Sequence, residues 1–415
     1  MTRRLITAFI RIVAKIFFRR IEIVGWKHVP PGAPVIFAVN HPNALIDPMF
    51  LLCFAPRPVS FLAKAPLFTM PVIGWLTRRF DTIPVYRKQD NLGTSNRRTF
   101  DRARDVLKQG GSIAIFPEGT THSDPKLREL KTGAARIALG AGIAVSIVPT
   151  GLYYTEKKTF RSSALMYFGP PVAVTPEPVD EQGEPPADAV DALTAQIELA
   201  LADVTLQSDS HSALDLIARA ERIFTGGDDH GLAYELEVRR RFVAGYAYLR
   251  AHDPRRLASL ESRVARFDAE ALASRAGVPP TTIGMLLLLP LAAVGAALHY
   301  PLYRLIGFIA TRFTRGEEEM IATVKALGGM LLYPLMWIAL AVWAGVRGGV
   351  ESALALMIAL PLLAYMALRV FEALDDVVGR LRGATHRDLE PRRRALRDEF
   401  LAIAEQMGGE AVVSG

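Results

Sequence analysis

The stretch VIFAVNHPNALIDP, residues 35–48, decides the fold of this chain. It opens with five apolar residues, three of them β-branched, which is typical of a short strand buried in a sheet. Behind this run, Pro42 and Asn43 favour a turn. Asp47-Pro48 then has the form of a helix N-cap followed by proline at the first helical position. We therefore predict a strand, a turn and a helix that begins at Pro48, with Asp47 at its mouth.

Strand-like and helix-like segments alternate on both sides of this unit as far as residue 174. Short apolar runs fall at 34–39, 59–63, 83–86, 112–116, 145–148 and 165–168. Helical periodicity lies between several of them, for example at 97–108 and 128–139. This alternation predicts an α/β domain over 21–186, with a mostly parallel sheet flanked by helices. A helical region rich in Ala, Leu, Glu and Arg follows at 187–276.

The chain then becomes membrane-like. Half of its 415 residues are hydrophobic, and the excess lies behind residue 280. We predict a membrane domain at 277–374 with spans at 327–346 and 350–371, because a span takes roughly 20 residues. Two prolines interrupt 281–310, which we interpret as a broken hairpin that enters and leaves on one face. A single tilted span there is the alternative, and it would reverse the membrane orientation of the segments that follow.

Charge and cysteine content narrow the class of protein. The net charge is +7, and basic residues gather near apolar segments at both ends, which fits attraction to anionic membrane lipids. The sequence has no interleaving of aromatic and basic residues of the kind that binds single-stranded nucleic acid, so we do not expect nucleic acid as a partner. The only cysteine, Cys53, excludes an intrachain disulfide, and its apolar neighbours indicate a small buried side chain.

The two termini are predicted from the same charges. Residues 1–20 alternate basic and apolar side chains at helical spacing, which predicts an interfacial amphipathic helix; a helix docked on the domain is the alternative. Residues 375–415 are predicted to be a basic cytoplasmic tail. Charge bias places this tail, the 311–326 loop and the front domain together on the cytoplasmic side of a bacterial inner membrane.

His41 and Asp47 are the first candidates for chemistry. A histidine at a strand end beside a carboxylate has the composition of an oriented general base. On one α-helix, six steps of roughly 100° would separate the two side chains, so they meet only if the chain turns between them. On this motif alone, a catalytic pair and a helix cap beside a structural histidine both stay open.

A second set of polar residues follows other strands. Glu118-Gly119-Thr120 comes directly after the run at 112–116, while Lys64 and Arg87 each end a strand. Because the carboxyl ends of parallel strands line one edge of a sheet, where ligands bind, we expect these groups near His41. One base, two carboxylates and several cations suit an anionic acceptor whose hydroxyl is to be deprotonated.

These blocks resemble the motifs of the glycerolipid acyltransferase family: His-x(4)-Asp, a strand ending in arginine, Phe-Pro-Glu-Gly, and a strand ending in proline. They stand here in the same order at 41–47, 83–87, 116–119 and 147–149. The resemblance covers roughly residues 1–200. Two details are more similar to the fungal-type glycerol-3-phosphate/dihydroxyacetone-phosphate acyltransferases. The first motif has five residues instead of four between His41 and Asp47, and His122 follows Phe-Pro-Glu-Gly. Enzymes of that type also carry membrane spans behind the catalytic domain.

The resemblance implies transfer of a fatty acyl group from acyl-CoA or acyl carrier protein to glycerol-3-phosphate or 1-acylglycerol-3-phosphate in phospholipid biosynthesis. It makes His41 the general base, Asp47 its orienting partner and Arg87 the phosphate contact. The further acceptor-site residues that it implies are Lys64, Glu118, Gly119, Thr120 and Lys131. No cofactor or metal is expected because thiolate is a good leaving group, and we interpret His122 as a polar loop residue. Transfer to a different lysolipid and non-catalytic lipid binding are the alternatives.

Overall fold

The computed structural model describes residues 2–86, 97–226, 230–272, 288–314, 317–381 and 389–408. The strands are β1 (Arg20–Val24), β2 (Val35–Val39), β3 (Ser60–Lys64), β4 (Ile83–Val85), β5 (Ser112–Ile115), β6 (Val145–Tyr154), β7 (Ser163–Phe168) and β8 (Val172–Val174). The first six helices are α1 (Thr2–Phe17), α2 (Ile46–Phe54), α3 (Pro71–Arg79), α4 (Arg97–Lys108), α5 (Gly133–Leu139) and α6 (Ala187–Ala202). The other helices are α7 (His211–Thr225), α8 (Leu232–His252), α9 (Pro254–Leu272), α10 (Leu289–Phe313), α11 (Glu318–Leu381) and α12 (Leu389–Gln406).

The strands form one mostly parallel sheet, which confirms the predicted fold class. Their order is β1-β7-β6-β2-β5-β3-β4, with β8 paired to β6. β2 lies between β5 and β6 and is parallel to both, and all five of its residues are buried. β3 and β4 continue the parallel arrangement on the β5 side. The carboxyl ends of β2, β5, β3 and β4 therefore share one edge of the sheet.

The described chain divides into two compact units. The first consists of Met1–Asp209, Gly231–Leu236 and Glu317–Thr323, and the second consists of Ser210–His230, Glu237–Gly316 and Val324–Gly415. In the first unit, α4, α5 and α6 contribute side chains to one core with the strands, among them Leu107, Ile137 and Ile197. Helix α6 thus belongs to the core of the sheet domain, although the sequence analysis assigned it to the helical region behind it.

The second unit has its own apolar core, and the C-terminal residues contribute to it. Leu396, Phe400 and Ile403 of α12 are buried with side chains from α7, α8 and α9. These three residues repeat at i, i+4 and i+7, the spacing of one helix face. The prediction of a basic tail was wrong over Leu389–Gln406 because its many arginines obscured this apolar stripe.

Among the residues that the structure describes, two helices are long and apolar enough to cross a membrane, Leu289–Phe313 and Glu319–Glu372. The long helix α11 is broken at Gly349, where the backbone is non-helical with φ 81°, and the predicted spans 327–346 and 350–371 lie on either side of that break. The structure has no hairpin over 289–310, because α10 continues through Pro301. Pro290 stands in the first turn of α10, where a missing N–H costs nothing. Residues 281–287 lie outside the described residues.

Candidate active site

The predicted catalytic pair lies at the carboxyl end of the central strand. His41 follows β2 by two residues, and its Nδ1 lies 2.8 Å from Oδ2 of Asp47. The imidazole is 16% exposed and the carboxylate 0%. A carboxylate only accepts hydrogen bonds, so Nδ1 donates to Asp47. The lone pair of Nε2 is then left for a proton from a substrate.

Asp47 is held in place by two further donors. The backbone N–H of Asn43 donates to Oδ2 at 2.7 Å, and the Tyr154 hydroxyl donates to Oδ1 at 2.8 Å. Burial first, and the Asp47 charge second, raise the pKa of Tyr154 well above its ordinary value. The hydroxyl therefore stays protonated and remains a donor. Three donors on one buried carboxylate fix its orientation toward His41.

The helix that carries Asp47 begins earlier than predicted. α2 starts at Ile46 and its N-cap residue is Leu45, whose side chain makes no capping hydrogen bond. Asp47 is thus the second helical residue instead of the N-cap, because its carboxylate is engaged by the turn residue Asn43. Inside this turn, Ala44 has a positive φ of 22°, which few residues other than glycine adopt.

The second motif is built onto the first. The His41 ring stacks on Phe116, with 4.1 Å between ring centroids and 21° between planes. The backbone N–H of His41 donates to Oε1 of Glu118 at 3.0 Å. In return, the His41 carbonyl accepts from the backbone N–H of His122 at 3.3 Å. The sequence blocks at 41–47 and 116–119 therefore form a single constellation, as the sequence analysis expected.

Glu118 itself holds the protein backbone, which is not the role predicted for it. Its side chain is buried, and besides His41 it accepts from the backbone N–H of Arg128 at 3.1 Å. Its other contact is the ring Nε2 of His122. His122 lies in a loop, as predicted, but it is buried at 8% exposed, and its Nδ1 accepts from the Asp124 N–H at 3.1 Å. That bond places the His122 proton on Nε2, where it donates to Glu118.

The other predicted acceptor residues lie at the same edge or outside the described residues. Lys64 is the last residue of β3 and is exposed. Gly119 has φ 72°, and the side-chain stem of Lys131 lies against it. Thr120 is half-buried beside this turn. Arg87 lies outside the described residues, so its role as phosphate contact stays a prediction.

A metal centre is not formed by the residues that the structure describes. Within those ranges, no three His, Cys, Asp or Glu side chains are grouped so that they could hold an ion. The chemistry at this edge is that of an oriented base, with its imidazole partly open to solvent. The expectation that no cofactor takes part stays a prediction.

Comparison with known proteins places this site in context. Residues 20–153 match the family model described as Acyltransferase. The chain is 27% identical to Glycerol-3-phosphate O-acyltransferase 1 of Saccharomyces cerevisiae, over 78% of this chain and 58% of that protein. It is 31% identical to the chloroplastic 1-acyl-sn-glycerol-3-phosphate acyltransferase LPAT1 of Arabidopsis thaliana, over 34% of this chain and 38% of that protein.

A third relative is named for a different lipid acceptor. The Lyso-ornithine lipid O-acyltransferase of Pseudomonas aeruginosa is 32% identical over 28% of this chain and 43% of that protein. The chain spans less than two thirds of the length of each of these three relatives.

Proposed function

Because residues 20–153 belong to the acyltransferase family, we propose that this protein is a membrane-bound O-acyltransferase. It moves a fatty acyl group from an acyl thioester, acyl-CoA or acyl carrier protein, to the hydroxyl of glycerol-3-phosphate or 1-acylglycerol-3-phosphate. The proposal rests on one contact, the 2.8 Å bond between the His41 ring and the buried Asp47 carboxylate.

The reaction needs one base and one good leaving group. Nε2 of His41 takes the proton of the acceptor hydroxyl, and Asp47 stabilises the imidazolium that forms. The acceptor oxygen attacks the thioester carbonyl, and the tetrahedral intermediate collapses as the C–S bond breaks. The leaving thiolate takes up a proton that the imidazolium supplies. A positioned general base contributes about 10²–10⁴-fold to such a rate.

The acceptor phosphate is assigned to cations at the sheet edge. Lys64 at the end of β3 and Lys131 beside the Gly119 turn are exposed, and Arg87 is the contact that the resemblance implies. Glu118 is no part of this binding surface, because its two oxygens already accept from His41, His122 and Arg128.

Transfer to a different lysolipid is the second candidate. It is favoured by the similarity to a protein named as a lyso-ornithine lipid acyltransferase. The same base would serve either acceptor, since both offer a hydroxyl. A non-catalytic lipid-binding protein is the weaker alternative, because lipid binding alone does not need a carboxylate with three donors aligned on a partly exposed histidine.

Membrane attachment is part of the proposal. The apolar helices Leu289–Phe313 and Glu319–Glu372 would anchor the chain, and α1 would lie in the interface. One face of α1 carries a row of exposed apolar residues: Leu5, Phe9, Ile12 and Ile16. Its opposite side is docked, since Arg11 donates to the Cys53 carbonyl. The cytoplasmic orientation follows from charge bias alone, and the bacterial inner membrane stays a prediction.

An acyl-transfer assay in detergent micelles tests the proposal. Glycerol-3-phosphate, 1-acylglycerol-3-phosphate and lyso-ornithine lipid are compared as acceptors, each with acyl-CoA and with acyl carrier protein. We expect His41→Ala to lower the rate about a hundred-fold or more, the low end of general-base contributions. His252→Ala is the matched control, because His252 is exposed, and its ring bonds to the Tyr248 carbonyl and stacks on the Tyr248 ring within its own helix. Activity that survives in His41→Ala rejects the assigned base, and a preference for lyso-ornithine lipid selects the second candidate.

A further inference from the structure

The N-terminal end of the helix that carries Asp47 is hydrogen-bonded to a residue from a distant part of the chain. The N-cap of α2 is Leu45, whose own side chain offers no acceptor. The backbone N–H of Leu45 donates to Oγ1 of Thr323 at 3.2 Å, across 278 residues of sequence. Thr323 lies in α11, the long apolar helix. The start of α2 is therefore held from outside the sheet domain's own sequence.

This contact is built into the packing of the first unit. Thr323 is 2% exposed, and its neighbours Ile321 and Ala322 are buried as well. The segment Glu317–Thr323 belongs to the same compact unit as the sheet domain, although the rest of α11 belongs to the second unit. The beginning of α11 is thus part of the structure around the site.

The position of the bond matters because of what surrounds it in the turn. Ala44, the residue just before Leu45, has φ 22°, a backbone conformation that costs energy for a residue with a Cβ. On the other side of Leu45, Asp47 must keep its carboxylate within 2.8 Å of His41. A partly buried N–H without a partner would favour relaxation of this turn. Relaxation would move Asp47 and its own N–H bond to Asn43.

We propose that Thr323 is a positioning residue for the catalytic pair, so that the apolar helix α11 is needed for the geometry of the site as well as for anchoring. The bond from Leu45 holds the strained turn and the first turn of α2 in the form that aligns Asp47 with His41. This inference rests on the proposed function only for its kinetic test. Its structural test is independent of any reaction.

The kinetic test compares three variants with the full-length protein in detergent. We expect Thr323→Val, which keeps the shape and removes the hydroxyl, to lower kcat roughly tenfold. The acceptor KM should stay within about twofold, because a residue that acts through Asp47 contributes to the transition state more than to ground-state binding. Thr323→Ser, which keeps the hydroxyl, should retain kcat within about twofold. Thr314→Val is the matched control, since the hydroxyl of the buried Thr314 donates to the Ala310 carbonyl of the helix that it ends.

The structural test is amide hydrogen exchange over residues 41–54. Thr323→Val should exchange roughly tenfold faster than wild type in this segment, while Thr323→Ser and Thr314→Val should not. If Thr323→Val fails to fold, Thr323→Ala against Thr323→Ser gives the same comparison of hydroxyl absent and present. Unchanged exchange and unchanged kcat in the hydroxyl-free variant would overturn the inference. A wild-type protein without acyl transfer would instead refute the proposed function, and the exchange measurement would still decide the role of Thr323.

Discussion

Replacing Glu118 by glutamine separates two roles for this residue, acceptor binding and support of the backbone. The carboxylate accepts from the His41 N–H at 3.0 Å, from the Arg128 N–H at 3.1 Å and from the His122 ring. In Glu118→Gln one oxygen becomes an NH₂ group, which only donates. The amide oxygen can keep the bond to His41, but the donors of Arg128 and His122 then face another donor.

The size of the effect follows from these lost bonds. Each buried donor left without an acceptor costs about 1–3 kcal/mol, so the loss of two acceptors destabilises the domain by roughly 2–6 kcal/mol. For a domain of this size, each kcal/mol lowers Tm by about 2–4 °C, which gives a loss of roughly 4–24 °C. We also expect kcat to fall about 10–100-fold, because displacement of a catalytic group by about 1 Å has consequences of this order.

The assay combines thermal unfolding with acyl-transfer kinetics. Glu129→Gln is the control for the same chemical change at an exposed position of the same loop. His122→Ala should reproduce much of the loss, and the double variant with Glu118→Gln should lose less than the sum, since the two residues form one bond. A Glu118→Gln protein with wild-type Tm and a raised acceptor KM would refute this reasoning. It would restore Glu118 to the acceptor-binding role predicted from the sequence.

Three further variants probe the catalytic carboxylate and the apolar helices. Tyr154→Phe removes one of the three donors to Asp47, and we expect kcat to fall about 5–20-fold, with acceptor KM nearly unchanged; an unchanged kcat would show that the other two donors suffice. Gly295→Ala should lower Tm in detergent, because a Cβ there would lie 2.2 Å from the Leu363 carbonyl oxygen. Gly307→Ala, where a Cβ meets nothing within 4 Å, should leave Tm equal or raise it by reducing backbone entropy of the unfolded chain. Equal Tm changes in the two alanine variants would contradict the packing between α10 and α11.

The sequence was sufficient to predict the sheet and the place of the site. Apolar runs of strand length, separated by helical periodicity, mark the parallel strands, and the edge rule then brings His41 and Glu118 together. Local information was also enough for Cys53, whose apolar neighbours indicated the buried position that it has. These features depend on residues that are close in sequence or on a rule that all parallel sheets obey.

The partners of the site could not be predicted in the same way. Tyr154 bonds Asp47 across 107 residues, and it lies beyond the run predicted at 145–148, at the end of a strand that is longer than the apolar pattern indicated. Glu118 looked like a ligand because it ends a strand, yet its burial and its three donors depend on how the loop after residue 119 folds back. Polar groups that satisfy backbone donors carry no spacing signal, so only coordinates distinguish them from groups that face a substrate.

The core of the second unit restricts how the chain crosses a membrane. α12, which follows the apolar helices, is buried with α7 and α9, which precede them. Glu399 of α12 also pairs with Arg256 and Arg263 of α9. Helices that share one core lie on one side of a bilayer. If the chain spans a membrane as proposed, an even number of crossings is expected between α9 and α12, and the two halves of α11 on either side of Gly349 would supply two of them.

Labelling of single introduced cysteines in sealed vesicles tests this topology. Ser262→Cys in α9 and Ala395→Cys in α12, both at exposed positions, should react with a membrane-impermeant maleimide from the same side. Val350→Cys, beside the break in α11 and 74% exposed, should react only from the other side. The native thiol needs no replacement, because burial raises the pKa of Cys53 to about 12 against a weaker opposing effect of Arg11. At pH 8, four units below that pKa, only about one in 10⁴ of these thiols is the reactive thiolate. Labelling of positions 262 and 395 from opposite sides would mean that α9 and α12 do not share one core when the protein is in a membrane. It would also favour the alternative that the sequence left open, a single span at 281–310.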